Sequence, residues 1–240
     1  MTISEPRPIG PLLPGWQAPS LPGPDRIAGR YVHLERLDPA RDSAALFTAT
    51  ADDPAIWDYM SHGPFPDEGG LRAALETLCR DTVPYAFLDP ETGDAFGHAA
   101  FMRIDAPNGA VEIGHVVISP AAQRSRAASE ALMVMIGWAF GAGYRRVEWK
   151  CNALNAASRR AARRYGFAFE GVFRRHMIVK GRNRDTAWFA MTDADWPALK
   201  DAYADWLDPR NFDESGRQHL GLSALTAPAV ARAEGELAGL

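Results

Sequence analysis

The sequence predicts an α/β fold with a mixed, mostly antiparallel central sheet flanked by helices. Strand-like apolar runs alternate with helix-like stretches along the chain. Some strand-like runs are joined by tight turns, PETGD and DAPNG, which mark hairpins. Others are separated by a whole helix, which marks a crossover, and only a mixed sheet accommodates both connections. With 240 residues the chain can hold one domain with a substantial core.

Residues 1–29 are rich in Pro and Gly without periodicity and read as an extended N-terminal arm. RYVHLERL, 30–37, alternates as a first strand, and DPARDSAALFTAT follows with an Asp or Ser cap and a short helix. After the aromatic, turn-rich IWDYMSHGPFPD, residues 68–80 form a second helix. The run from YAFL to VVIS holds three strands. SPAAQRSRAASEAL, 119–132, leads into a helix from about 125 to 141. RRVEWKCN is a strand, and NAASRRAARRYGF is a short helix closed by Gly166 in a left-handed C-terminal turn. Two strands around a KGRN turn follow, then a helix, WPALKDAYADWL. The tail 208–240 reads as weakly ordered or packed on the domain.

Composition narrows the function. No apolar run approaches the roughly 18 residues of a membrane span, and no secretory leader is expected at the N-terminus. Cys79 and Cys151 stand far apart with no clustered Cys/His pattern, so a metal site is not expected and a reducing cytoplasm is. Residues 121–184 carry 14 Lys+Arg against 3 Asp+Glu in a chain of net charge −4. A basic region in an acidic protein points to an anionic ligand, either nucleic acid or a polyphosphate cofactor. The stretch lacks the aromatic interleaving that base binding uses, so nucleic acid is the lesser reading.

Three motifs then stand in order: VEIGHVVISPAAQRSRAASEAL, GAGYRRVEWKCNALNAASRRAARRYGFAFEGVFR and KGRNRDTAWFAM. Together with the element order they resemble the GNAT superfamily of N-acetyltransferases, in particular its RimJ/RimL-like branch, over about 30–207. The resemblance implies acetyl-CoA as donor, a small-molecule or peptide amine as acceptor, and two neighbouring strands that part around the pantetheine arm. It implies that the backbone of Val116, Val117 and Ile118 meets the pantetheine amides. The loop of Gln123, Arg124, Ser125, Arg126, Ala127 and Ala128 then meets the pyrophosphate. Arg126 stands where the family has its central glycine. A helix start supplies free amides and a favourable dipole without glycine, and Arg126 could fold back to add charge.

The resemblance also implies roles in chemistry. Glu112 falls where many relatives carry a basic glutamate, and an amine must lose a proton before it attacks. His115 lies three residues on, and strand alternation turns it to the opposite face unless a bulge intervenes. Asn155 is a helix cap and a pantetheine contact, Ser158 matches a serine near the thioester sulfur, and Arg159 is a candidate for the 3′-phosphate. Trp57, Tyr59, Phe65 and His176 are candidate acceptor contacts. A GNAT fold that binds acyl-CoA without turnover is the alternative, and the arm and tail are candidate dimer contacts.

Overall fold

The computed structural model describes residues 10–21 and 23–239. The remainder of the predicted arm, 1–9 and 22, lies outside the described residues. The elements run β1 (Arg26–Ala28), β2 (His33–Arg36), α1 (Pro39–Thr50), α2 (Glu68–Asp81), β3 (Val83–Leu88), β4 (Ala95–Asp105), β5 (Ala110–Ile118), α3 (Arg126–Gly141), β6 (Arg146–Asn152), α4 (Ala156–Arg164), β7 (Ala168–Val179), β8 (Arg182–Thr192), α5 (Trp196–Leu207) and α6 (Leu222–Ala238). The eight strands form one sheet in the order β1-β2-β3-β4-β5-β6-β8-β7. Every pair is antiparallel except β5 and β6. The expected mixed, mostly antiparallel sheet flanked by helices is the fold observed.

The helices start where the sequence supplies oxygen for their orphan amides. Asp38, Asp67, Ser125 and Asn155 each accept a hydrogen bond from the first turn of α1, α2, α3 and α4. The sheet divides the core in two. Tyr85, Phe87, Phe101, Val111, Ile113, Val147, Trp149 and Phe189 face α3, α4 and α5 in one apolar cluster. Ala86, Leu88, Ala100 and Val117 face α1 and α2 in the other. Strand β6 alternates cleanly, burying Val147, Trp149 and Cys151 and turning Arg146, Glu148, Lys150 and Asn152 to the opposite face.

The described part of the arm lies along the domain. Trp16 Nε1 donates to Pro107 O at 3.1 Å, and Tyr144 and Tyr85 donate to Ser20 O and Pro24 O. Its end adds β1 as an edge strand, which the sequence reading left within the arm. The predicted tail holds α6, which packs on α5, α4 and β7. Its starting residue Gly221 makes no side-chain cap, so the usual start signal was missing.

Candidate active site

The site begins where the two parallel strands part. Strands β5 and β6 pair only over Ala110↔Arg146, Val111↔Val147 and Glu112↔Glu148. Strand β5 then bulges: its register against β4 shifts between His98 and Ala100, and His115 sits at φ +51°. A left-handed backbone at a non-glycine residue costs on the order of 1 kcal/mol. Past the bulge Val117 and Ile118 stay paired with His98 and Gly97 of β4, while the edge towards β6 leaves the ladder. Backbone groups on such an edge need partners, and an extended chain of amides provides them. Gly97 brings β4 close here, since a Cβ on it would stand 2.6 Å from Val117 O.

Immediately downstream the chain turns. Ser119 O accepts from the N–H groups of Ala122 and Gln123 at 3.0 Å, and Gln123 Nε2 donates to Ile118 O at 3.3 Å. Ser125 caps α3 with its Oγ accepting from Ala128 N at 3.0 Å. The N–H groups of Arg126 and Ala127, in the first turn, have no intrahelical acceptor and face the positive end of the helix dipole. The position that would suit glycine is Arg124, at φ +63°. Arg126 is helical and unstrained. Its side chain, which could fold back to add charge, packs on two aromatic rings: the guanidinium carbon lies 3.6 Å from the ring centre of Phe212 and 4.6 Å from that of Tyr31. Two aromatic faces offer a partly buried cation a better seat than open solvent.

On the β6 side, Asn155 Oδ1 accepts from Ser158 N at 3.0 Å, so Asn155 is the cap of α4. Ser158 Oγ accepts from Trp149 Nε1 at 2.9 Å, which leaves its hydroxyl proton to donate. Arg159 donates to Ala153 O at 3.3 Å and leans towards Phe169.

The opposite face of the sheet forms the other wall. Glu112 is 4% exposed. Its Oε2 is 2.9 Å from Lys150 Nζ, an ion-pair distance at an angle poor for a hydrogen bond, and 3.6 Å from Arg103 Nε. Lys150 also lies 2.6 Å from Glu148, which Arg146 holds from the other side at 2.8 Å. Burial pushes the Glu148 carboxyl up, but its bonds to Lys150 and Arg146 outweigh that and leave it low. Trp57, expected as an acceptor contact, is 3% exposed and belongs to the core under α1 and α2. Its carbonyl accepts from Lys180 Nζ at 2.8 Å, which ties the 53–67 loop to the β7–β8 turn. Tyr59 is partly exposed and donates to Leu154 O at 3.3 Å, spanning from that loop to the start of α4. Phe65 is half-buried, edge-on to Trp57 at 5.1 Å. His176 is exposed on β7, with Nδ1 2.9 Å from Thr186 Oγ1. Asp185 accepts from the Arg175 N–H at 2.6 Å. Nearby, Trp188 Nε1 is buried without a partner.

Two residues that sequence reasoning did not select join His115 at this wall. The ring of His62 lies parallel to that of His115, 8° between planes and 5.7 Å between centres. His98 on β4 is 1% exposed, and neither ring nitrogen makes a well-formed hydrogen bond, although the His115 backbone lies alongside. Burial pushes His62 down to about 4, helped by His115 and Lys180. Burial likewise pushes His98 down to about 3, helped by His115 and His62. His115 is lowered by burial and by Arg103. A histidine in the apolar strand run AFGHAAF was the available signal for His98. His62 had none, because its partner lies 53 positions away on another element.

Known proteins share this fold. The family described as "Acetyltransferase (GNAT) domain" matches residues 32–168, more than half of the chain. A GCN5-related N-acetyltransferase from Brucella melitensis, known from its crystal structure, is 40% identical with a TM-score of 0.86, over 90% of this chain and 100% of that one. The curated "Uncharacterized N-acetyltransferase p20" of Bacillus licheniformis is 27% identical over 173 residues, 70% of this chain and 93% of its own. At the level of fold alone, the chain resembles the Salmonella typhimurium acetyl transferase that modifies the N-terminal serine of ribosomal protein L7/L12. That match has 20% identity and a TM-score of 0.59, over 68% of this chain and 96% of that one.

Proposed function

The chain belongs to the GNAT acetyltransferase family, and from that premise we propose that it transfers an acetyl group from acetyl-CoA to a primary amine in a ternary complex. The observation that carries the reading is the parting of β5 and β6 at the His115 bulge, with the capped start of α3 directly downstream. An amide-bearing arm fits the free edge of Val116–Ile118, and a pyrophosphate fits the N–H groups of Arg126 and Ala127. When bound, acetyl-CoA supplies the acetyl group activated as a thioester.

The residues of the chain divide the remaining work. Ser158, polarised by the Trp149 N–H, is the proton donor to the leaving sulfur. Glu112 is engaged by Lys150 and Arg103, so it serves to set the charge of the wall rather than to take the proton. His115 is the proton acceptor on the amine side. Tyr59, Phe65 and His176 are left as candidate acceptor contacts. The free thiols of Cys79 and Cys151 suit a reducing compartment, and we assign the activity to the cytoplasm.

Calorimetry with acetyl-CoA followed by a thiol-release screen tests the reading. The screen should cover peptides beginning with serine, amino acids, polyamines and aminoglycosides, the peptides being motivated by the Salmonella neighbour. We expect binding and release with at least one amine class. Binding without release across all of them would reduce the protein to an acyl-CoA binder, and no binding at millimolar concentration would end the proposal.

A further inference from the structure

We infer that His62, His98 and His115 act as one acid–base group carrying a single proton, with His115 the catalytic base and His62 and His98 its positioning residues. The inference rests on the acetyltransferase reading above and deepens it. The loop before α2 and the bulge of β5 bring the His62 and His115 rings face to face, and His98 of β4 lies buried against the His115 backbone. His98 is not explained by packing alone. A buried imidazole with both nitrogens open costs more than an apolar side chain of similar size, and such a group in a native fold calls for a reason. The bulge points the same way. Its strained φ falls on His115 although Gly114 is adjacent, so the strand keeps a side chain where glycine would relieve the backbone. Among the described residues no group of three His, Cys, Asp or Glu is arranged to hold a metal ion.

The charged groups around the cluster favour the neutral rings. Lys180 faces His62 from the β7–β8 turn, and Arg103 faces His115 from β4. Glu112 on β5, the nearby carboxylate, is already matched by Lys150 of β6 and by Arg103. A proton on His115 disfavours a second one on His62 or His98, so near neutral pH the cluster takes up no more than one. The protons balance as follows. The acceptor enters as an ammonium; one N–H bond breaks, its electron pair stays on nitrogen, and the proton goes to His115. The new N–C bond forms as the C–S bond breaks with its pair on sulfur. The second amine proton replaces the one Ser158 gives to that sulfur, and the proton on His115 leaves to water at the partly exposed His62 side. The sum is ammonium plus thioester giving amide, thiol and one released proton.

Histidine ring NMR on the full chain without acetyl-CoA tests the coupling directly. His115 should titrate first as the pH falls, and His115→Ala should move the His62 midpoint upward. Independent titration of His62 and His98 near the ordinary value of about 6.5 overturns the inference. Kinetics with acetyl-CoA and the amine selected in the screen give the second arm. His115→Ala should lower kcat by about 10²- to 10⁴-fold, the usual share of a general base, and added imidazole should restore part of it. His98→Leu should lower kcat with KM unchanged and should shift the acid limb of the pH profile, while melting and acetyl-CoA binding show that it folds. A His98→Leu protein with the parental kcat and pH profile removes His98 from the group. If no amine is acetylated, the function proposed above fails, and the NMR titrations still decide whether the rings share one proton.

Discussion

The two walls of the proposed site are built by opposite means. The proposed cofactor wall is mainly the stretch 116–128, whose useful groups are backbone amides held by local caps. The acceptor wall gathers side chains from the 53–67 loop, β4, β5, β6 and the β7–β8 turn, held by burial and by each other. A wall made of backbone tolerates side-chain exchange. A wall made of interlocked side chains does not, because each removal strands a buried partner.

The strongest way to break this contrast is Lys150→Met. It leaves Glu112 and Glu148 facing each other without their shared cation, and we expect a loss of about 3–5 kcal/mol in urea unfolding. Adding Glu112→Gln should recover part of the loss. A near-neutral Lys150→Met would show that the wall does not depend on its ion pairs.

The pH dependence of stability comes next. His62 and His98 have folded values of about 4 and about 3, below the unfolded value of about 6.5. In that window the unfolded chain binds more protons, so their contribution is full above pH 6.5 and is lost as the pH falls towards 4. Each should contribute a slope of up to roughly 1.4 kcal/mol per pH unit. Between pH 6.5 and 5, where carboxylates contribute little, His98→Leu should flatten the curve; an unchanged slope would mean that His98 is not held neutral.

Gly97→Ala tests the cofactor wall at its one tight backbone approach. The added methyl meets Val117 O, so we expect about 1–3 kcal/mol of destabilisation and weaker acetyl-CoA binding by calorimetry. Unchanged binding would mean that the Val116–Ile118 edge does not hold the cofactor.

Arg126→Ala should cost about 1–2 kcal/mol through its seat between Tyr31 and Phe212. Acetyl-CoA affinity should barely move, since the amides remain. An affinity loss of about tenfold or more would return Arg126 to the phosphates. The smallest effect is a gain: Arg124→Gly relieves a left-handed φ and should raise stability by about 1 kcal/mol, read as a higher melting temperature.

The loop shows how far sequence reading reaches. Ser125 before an apolar helical run announces its cap, and the amides follow from helix geometry without further information. By analogy the family's glycine position falls on 126, yet the left-handed residue is 124, because φ depends on how the turn from Ser119 closes. Glu112 and His115 were legible as titratable groups near that loop. Their roles were not, since strand alternation places them on opposite faces until the bulge is known. Trp57 and His62 sit five residues apart, and only packing decides that one is core and the other cleft.

By itself the sequence determined the element order from β2 to α5, the caps of α1 and α4, the alternation of β6 and the anion-ready start of α3. Each depends on residues a few positions apart, within reach of local hydrogen bonds and hydrophobic periodicity. The tertiary structure alone decided the parting of β5 from β6, the seat of Arg126, the ion pairs that occupy Glu112 and the meeting of three histidines. Those depend on contacts across the sheet and between distant loops, where burial and charge set what a side chain can do and sequence spacing carries no record of either.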